Sequence, residues 1–343
     1  MPIISERMQK ILALIVESYI ATGEPVGSKA LCTAMGNAVS SATIRNDMAL
    51  LTDAGLLEQP HTSAGRIPTQ AAYRYYVDNL MTAYELGAED QSRIKIWLQS
   101  VSGEPDRLLE KAGEILAEST NCVVVSSSPS DSEAHIKRIE IVPLSNRTAM
   151  MVLLTDSGIL KSTVVRTDMR ITVDVAGVFY NIMQSYFIGK SINDITVSFI
   201  QTLVASLGDN AFVMSPFLCA AADLCEAAGT TELHLNGQSN LLNHAEFSQD
   251  AVRLMRFIGR TAPLEAMLEA QKKPFTVAIG SENAYRELKN ASTIFSKYSV
   301  GGRDSGSIGI IGPTRLDYAR LIPSIKYLAG VIGALLSETL DEE

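Results

Sequence analysis

Apolar residues recur at helical spacing from the start of the chain. Behind Ser5, the residues Met8, Ile11, Leu12, Ile15, Val16 and Tyr19 form one stripe that runs to Gly23, which predicts an amphipathic helix with a serine N-cap. Glu24 to Gly27 reads as a turn, Ser28 as the next cap, and Lys29 to Met35 as a short helix closed by Gly36-Asn37. Ser40 or Ser41 can cap a third helix, in which Ile44, Met48 and Leu51 make the buried stripe. Gly55 stands where a helix C-terminus calls for positive φ, and Leu56-Leu57 begins an extended run. Pro60 to Gly65 is a polar turn, and Arg66-Ile67-Pro68 is the returning strand. The order predicts a winged helix-turn-helix. The bland alternative, a three-helix bundle with a hairpin, leaves the wing sequence unexplained.

Thr69 caps a further helix through Met81, whose Tyr73, Tyr75, Tyr76, Val77 and Leu80 fit a core or an interface better than a platform for bases. Glu85 to Asp90 is a polar break, followed by amphipathic helices over Asp90 to Val101 and Pro105 to Ser119. From Asn121 the period becomes strand-like, with CVVVSSS, HIKRIEIVPL, TAMMVLLTD and ILKSTVVRT predicting three or four antiparallel strands. Val173 to Phe187 is helical. Phe275 to Gly280, Ala291 to Ser296 and Ser307 to Gly312 read as more strands, and a closing helix runs from Leu316 to about Leu340. Between these halves Ile192 to Leu207, Asp209 to Ala228 and Asp250 to Gln271 are helical, interrupted by a short TELHLN strand pair. A helical block set into a split α/β sheet predicts an inserted domain. The expected class is therefore α+β and multidomain, with boundaries at 1–85, 86–190, 191–273 and 274–343.

The third helix carries the candidate chemistry. Opposite its apolar stripe lie Ser41, Thr43, Arg45, Asn46 and Ala49, short or hydrogen-bonding groups suited to a major groove. The wing tip, His61-Thr62-Ser63-Ala64-Gly65-Arg66, places an arginine beside residues small enough to approach a narrow groove, with Gly65 expected at positive φ. Candidate DNA-contacting residues are Lys29, Ser40, Ser41, Thr43, Arg45, Asn46, His61, Ser63, Gly65 and Arg66.

The run SSATIRNDMALLTDAGLLEQPHTSAGRIPTQAAYRYYVD resembles the N-terminal signature of the heat-inducible transcription repressors, the HrcA family, with IGSEN at 279 to 283 and GPTRLDY at 312 to 318 as later islands. Ala72 stands where that family usually has glycine, a change that a helix interior accepts. The resemblance implies a GAF-like domain carrying an inserted dimerising domain. It also implies repression of the groE chaperonin and dnaK-type operons by a homodimer on an inverted-repeat operator called CIRCE, with the GroEL chaperonin as modulator. The alternative is a ligand-sensing GAF-type winged-helix regulator of another operon, with a pocket near Ile279 to Asn283 or Arg315 to Asp317. The expectation here is that those residues cap and pair, with no small-molecule ligand.

Of 343 residues, 46% are hydrophobic and 20% charged, which describes an ordinary globular chain. No stretch approaches 18 uninterrupted apolar residues, and Glu6 and Arg7 precede the first long apolar run, so neither a membrane span nor a signal peptide is expected and the cytoplasm is the expected location. The net charge of −9 opposes nucleic-acid binding, and residues 1 to 80 still balance to −1. Binding then requires Lys29, Arg45, Arg66 and Arg74 to share a face while the acids point elsewhere. Isolated Cys32, Cys122, Cys219 and Cys225 are expected to be buried reduced thiols, and no metal site or cofactor is expected. Gly189-Lys190-Ser191 lacks the preceding glycine of a phosphate loop, Gln184 standing there, and the four histidines show no metal-triad spacing. The chain is not expected to be an enzyme.

Overall fold

The computed structural model describes residues 4–61, 64–82, 84–101, 105–131 and 133–341. Helix α1, Glu6–Thr22, is capped by Ser5 and buries Ile11, Leu12, Ile15 and Val16; its chain leaves through Gly23 at φ 73°. Helix α2, Ser28–Ala34, begins without a side-chain cap. The Ser28 hydroxyl, expected as that cap, is instead 2.9 Å from the Ser41 hydroxyl and links α2 to the next helix.

Helix α3, Ser41–Asp53, is capped by Ser40 and buries Ile44, Asp47, Met48 and Leu51. It ends as expected at Gly55, whose φ is 74°. The Leu56 amide returns to the Leu51 carbonyl and the Gly55 amide to that of Thr52, which satisfies two carbonyls the helix leaves open and turns the chain outward. Strands β1, Leu57–Glu58, and β2, Ile67–Pro68, then pair antiparallel. Thr69 caps helix α4, Gln70–Tyr75, which widens into a π turn over Tyr76–Leu80.

Helices α5, Ala88–Gln99, and α6, Pro105–Thr120, precede strand β3, Val123–Ser127. Next come β4, Ile136–Ser145; β5, Thr148–Thr155; β6, Leu160–Arg166; and helices α7, Val173–Tyr186; α8, Val197–Ser206; and α9, Ala211–Gly229. Strand β7, Leu233–Asn236, helices α10, Ala251–Ile258, and α11, Thr261–Glu269, strands β8, Phe275–Ile279; β9, Ala291–Val300; and β10, Arg303–Pro313, and helix α12, Tyr318–Asp341, complete the chain.

The strands form two large sheets rather than the single split sheet expected. The five-stranded sheet, ordered β7-β3-β10-β9-β8, is antiparallel throughout, and TELHLN supplies one strand of it, not a pair. Strands β4, β5 and β6 form their own sheet. The reason lies in their burial patterns. Strand β3 is buried at every position and β5 at alternate ones. A strand covered on both faces belongs in the middle of layers, whereas an alternating strand has one face to cover.

In the five-stranded sheet, Val124, Ile294, Ile308 and Ile310 join a core with α6 and α12, while Val123, Val125, Phe295 and Ile311 join another with Leu254, Phe257, Leu264 and Leu268 of α10 and α11. The three-stranded sheet has its own core with α7, α8 and α9, from Ala134 to Ala228. Boundaries expected at 191 and 273 therefore do not coincide with the cores: the second body starts before β4, and α10 and α11 cover the larger sheet.

The residues Met214, Phe217 and Leu218 are fully buried within that second core, whereas Phe212 is 69% exposed. Two segments, Gly208–Gly229 and Tyr318–Glu338, have the length and composition to cross a membrane. In the latter, Leu321, Ile325, Leu328, Ile332 and Leu335 form one stripe within the core shared with α6. Cys122 and Cys225 are buried, which pushes their thiols up to about 11 and about 12; Cys219, expected inside, is exposed.

Phe217 touches Phe179 with ring centroids 5.6 Å apart at the centre of the second core. Phe217→Ala should cost that body about 3 to 5 kcal/mol in urea unfolding, and a loss below about 1 kcal/mol would place the ring outside its core.

Candidate nucleic-acid interface

The outward face of α3 is built by the same spacing that buries its other side. Ala42, Arg45, Asn46 and Ala49 are exposed, at intervals that share a helix face. Arg45 and Asn46 have no ion pair or side-chain hydrogen bond among the described residues, and small alanines flank them. Ser40 Oγ accepts the Thr43 amide at 3.1 Å and lies 2.9 Å from Thr43 Oγ1, so both hydroxyls are committed to the cap. Lys29 is exposed on α2, and Ser41 sits at the Ser28 contact between α2 and α3.

The acid of α3 is removed from this face. Asp47 is 4% exposed on the apolar stripe, and Arg7 of α1 donates to both its oxygens, Nε to Oδ2 at 2.7 Å and Nη2 to Oδ1 at 3.1 Å. The hydrogen bond and charge of Asp47 raise the Arg7 pKa. Pattern reading missed the pair, although an aspartate between Ile44 and Met48 on a buried stripe is a signal in itself, since a buried charge needs a partner.

The ribbon departs from expectation at two residues. Gly65 is absent from the left-handed region; it is needed because an added Cβ would lie 2.4 Å from the Val26 carbonyl oxygen. Arg66 is at the stem and not at the tip. Its backbone exchanges two 2.9 Å bonds with Val26, and its Nε donates to Thr52 Oγ1 of α3 at 3.0 Å. Thr52, which sequence reasoning passed over, thus ties ribbon to helix. His61 is exposed at the turn, where its carbonyl accepts the Ala64 amide, and Ser63 lies outside the described residues.

Arg74 leaves the set of cations expected on one face. It donates to Glu282, to Asp78 and to the Val277 carbonyl, inside the joint between α4 and the larger sheet. Lys29, Arg45 and Arg66 remain near α3. Among the described residues no group of three or more His, Cys, Asp or Glu side chains gathers as a metal site would require.

Residues 106–322, well over half of the chain, match the family model described as the HrcA protein C-terminal domain. The chain belongs to the HrcA family. It is 33% identical over 342 residues to the heat-inducible transcription repressor HrcA of Thermoanaerobacter pseudethanolicus, covering 99% of each chain. With the protein of the same name from Acetivibrio thermocellus it shares 32% over 330 residues, 95% of this chain and 94% of that one. A solved structure, titled as that of a hypothetical protein at 2.2 Å resolution, superposes with TM-score 0.71 at 24% identity, over 98% of this chain and all of the other, a likeness of fold. The HrcA model begins at α6, so the unit carrying α3 is related through the full-length comparisons.

Gly65→Ala should push the ribbon off Val26. Amide exchange at Val26 and Arg66, which form both bridge bonds, should accelerate by at least about tenfold, whereas protection equal to the parent's would show that the close approach is dispensable.

Proposed function

We propose that this chain is a transcriptional repressor of class I heat-shock genes, the groE chaperonin and dnaK-type operons, that occupies an inverted-repeat CIRCE operator as a homodimer in the cytoplasm. The observation that carries the reading is the face of α3: Arg45 and Asn46 are exposed between two alanines while Asp47, one residue on, is buried against Arg7. In this reading residues 4–80 form a winged helix-turn-helix with α3 in the major groove. Lys29, Ser41 and Thr43 lie toward the backbone, and the ribbon around His61, Gly65 and Arg66 lies toward the adjacent minor groove. The five-stranded sheet with its helices is the GAF-like domain. Family membership supports the repressor reading, as does the relatives' shared name.

The second body is the proposed dimerising unit, through the outer face of its sheet. On β5, Met150, Val152 and Leu154 alternate with the buried Ala149, Met151 and Leu153. Met150 stands in register between Val142 and Val164, both exposed, while Val152 lies between Glu140 and Ser162 and Leu154 between Arg138 and the exposed Leu160. Exposed apolar side chains set among polar ones on a sheet face suit an interface between two copies. Val152→Asp with Val164→Asp should yield a monomer by light scattering and lower affinity for the full operator by roughly 10² to 10⁴, the gain expected from making the second half-site contact intramolecular. A doubly substituted chain that stays dimeric would move the interface elsewhere.

Gel shift on an inverted-repeat duplex, with and without GroEL, tests the function: binding that GroEL increases supports it, and equal affinity for scrambled DNA refutes it. Arg45→Ala and Asn46→Ala should each weaken binding with the fold intact. The loss is about 1 to 3 kcal/mol with relaxed specificity for a base contact, or a uniform loss across sequences for a phosphate contact. Unchanged affinity in both would take α3 out of the groove.

A further inference from the structure

The body holds the N-terminal unit at two polar points, the first using the sequence island IGSEN and the second GPTRLDY. At the first, Arg74 of α4 grips the Glu282 carboxylate through Nε at 2.8 Å and through Nη2, which also donates to the Val277 carbonyl at 2.7 Å. Beside it the Gln70 amide spans the joint, Oε1 accepting the Ser281 amide and Nε2 donating to the Lys289 carbonyl, both at 2.9 Å. Gly280 has φ +57°, a conformation that favours glycine, and an added Cβ would lie 2.1 Å from Gln70 Cδ and displace that amide.

At the second point Arg315 donates through Nη1 to the Ile20 carbonyl at 3.0 Å and through Nε to Glu246 at 2.7 Å. Helix α1 has no basic residue in its last turn, so Arg315 supplies from the body the cation that a helix C-terminus favours. Between the points Tyr73 packs against Tyr318, ring centroids 6.0 Å apart, and the Tyr84 amide bonds the Ala319 carbonyl. None of these contacts involves α3, whose Ala42, Arg45, Asn46 and Ala49 stay exposed in the docked state.

We propose that Arg74–Glu282 and Arg315–Ile20–Glu246 are positioning contacts that fix the direction of α3 relative to the body, and through it the distance between the two α3 helices of a dimer. The proposal rests on the DNA-binding reading above. Two rigidly held heads read the spacing of half-sites as well as their bases, whereas two loosely held heads lose the intramolecular advantage of the second contact. Burial alone would raise the carboxyls of Glu282 and Glu246, but hydrogen bonds from Arg74 and the Ile279 amide, and from Arg315, outweigh it and hold both below the ordinary carboxylate range. Acids held low stabilise the docked state above the free carboxylate pKa and cease to do so as pH falls through their depressed values, so the joint loosens toward acid.

The test compares full-length parent, Glu282→Ala, Arg315→Ala and the milder Gln70→Ala. The probes are the inverted repeat that the parent selects from randomised duplex DNA, single half-sites of it, and versions with the spacer changed by one to three base pairs. The expected result is half-site affinity within about twofold of the parent, full-operator affinity lowered by about tenfold or more for Glu282→Ala and Arg315→Ala, and a flattened dependence on spacer length. Full-operator affinity and spacer preference equal to the parent's overturn the proposal alone. Half-site and full-operator affinities that fall together also overturn it, since the contacts would then only support the unit's fold. Gln70→Ala reports the same distinction if the charged variants unfold. A parent that selects no sequence overturns the DNA reading and this proposal with it.

Discussion

The joint between the N-terminal helices and the body is apolar before it is polar. Ile11, Leu12 and Ile15 of α1 belong to the same buried cluster as Tyr73 of α4, Tyr318 and Leu321 of α12, and Ile308 of the large sheet. A shared core of this kind keeps the first unit against the body, because separating the two would expose that surface to water. Everything polar at the joint is arranged around this constraint. The Arg74 and Arg315 guanidiniums lie at its edges, where their charged ends reach carboxylates and carbonyls. The Tyr73 hydroxyl, inside, is buried with no protein partner and with its pKa raised by burial.

The same logic resolves the charge problem that the composition poses. A unit with net charge −1 can present a neutral-to-basic surface if its acids are spent internally. Asp47 pairs with Arg7, and Glu17 accepts from the Tyr76 hydroxyl. The saving is partial, since Arg7 and Arg74 are spent as well. What remains near α3 is few cations, Lys29, Arg45 and Arg66, too few for strong bulk attraction to phosphate.

Local order was legible in the chain wherever one short segment decides it. The Ser5 and Thr69 caps, the stripe of α3 and the left-handed Gly55 are all found as the residues predict. What escaped were matters of partnership across distance. Strand character in HIKRIEIVPL and TAMMVLLTD was readable, but which sheet they join depends on whether one face or two will be covered, and that is decided by helices that come only later in the chain. The glycine at 65 was recognisable as special; the reason, crowding by Val26 almost forty residues earlier, was not. Arg74 looked like a cation for DNA because its carboxylate lies 208 positions on.

The second body leaves and rejoins the large sheet through neighbouring strands. Ser127 of β3 stands in register with Leu233 of β7, the Ser128 amide bonds the Glu232 carbonyl at 2.7 Å, and the Ser130 and Thr231 hydroxyls meet at 2.7 Å. About a hundred residues thus hang from a doorway one strand-spacing wide, and the sheet that carries the joint to α4 and α1 is closed on the near side of it. A lineage could exchange what is beyond that doorway, for a different sheet or a longer or shorter arm, without disturbing the contacts of Arg74 and Arg315 at the joint. The second body and the joint are separable heritable parts of this architecture, free to change at different rates.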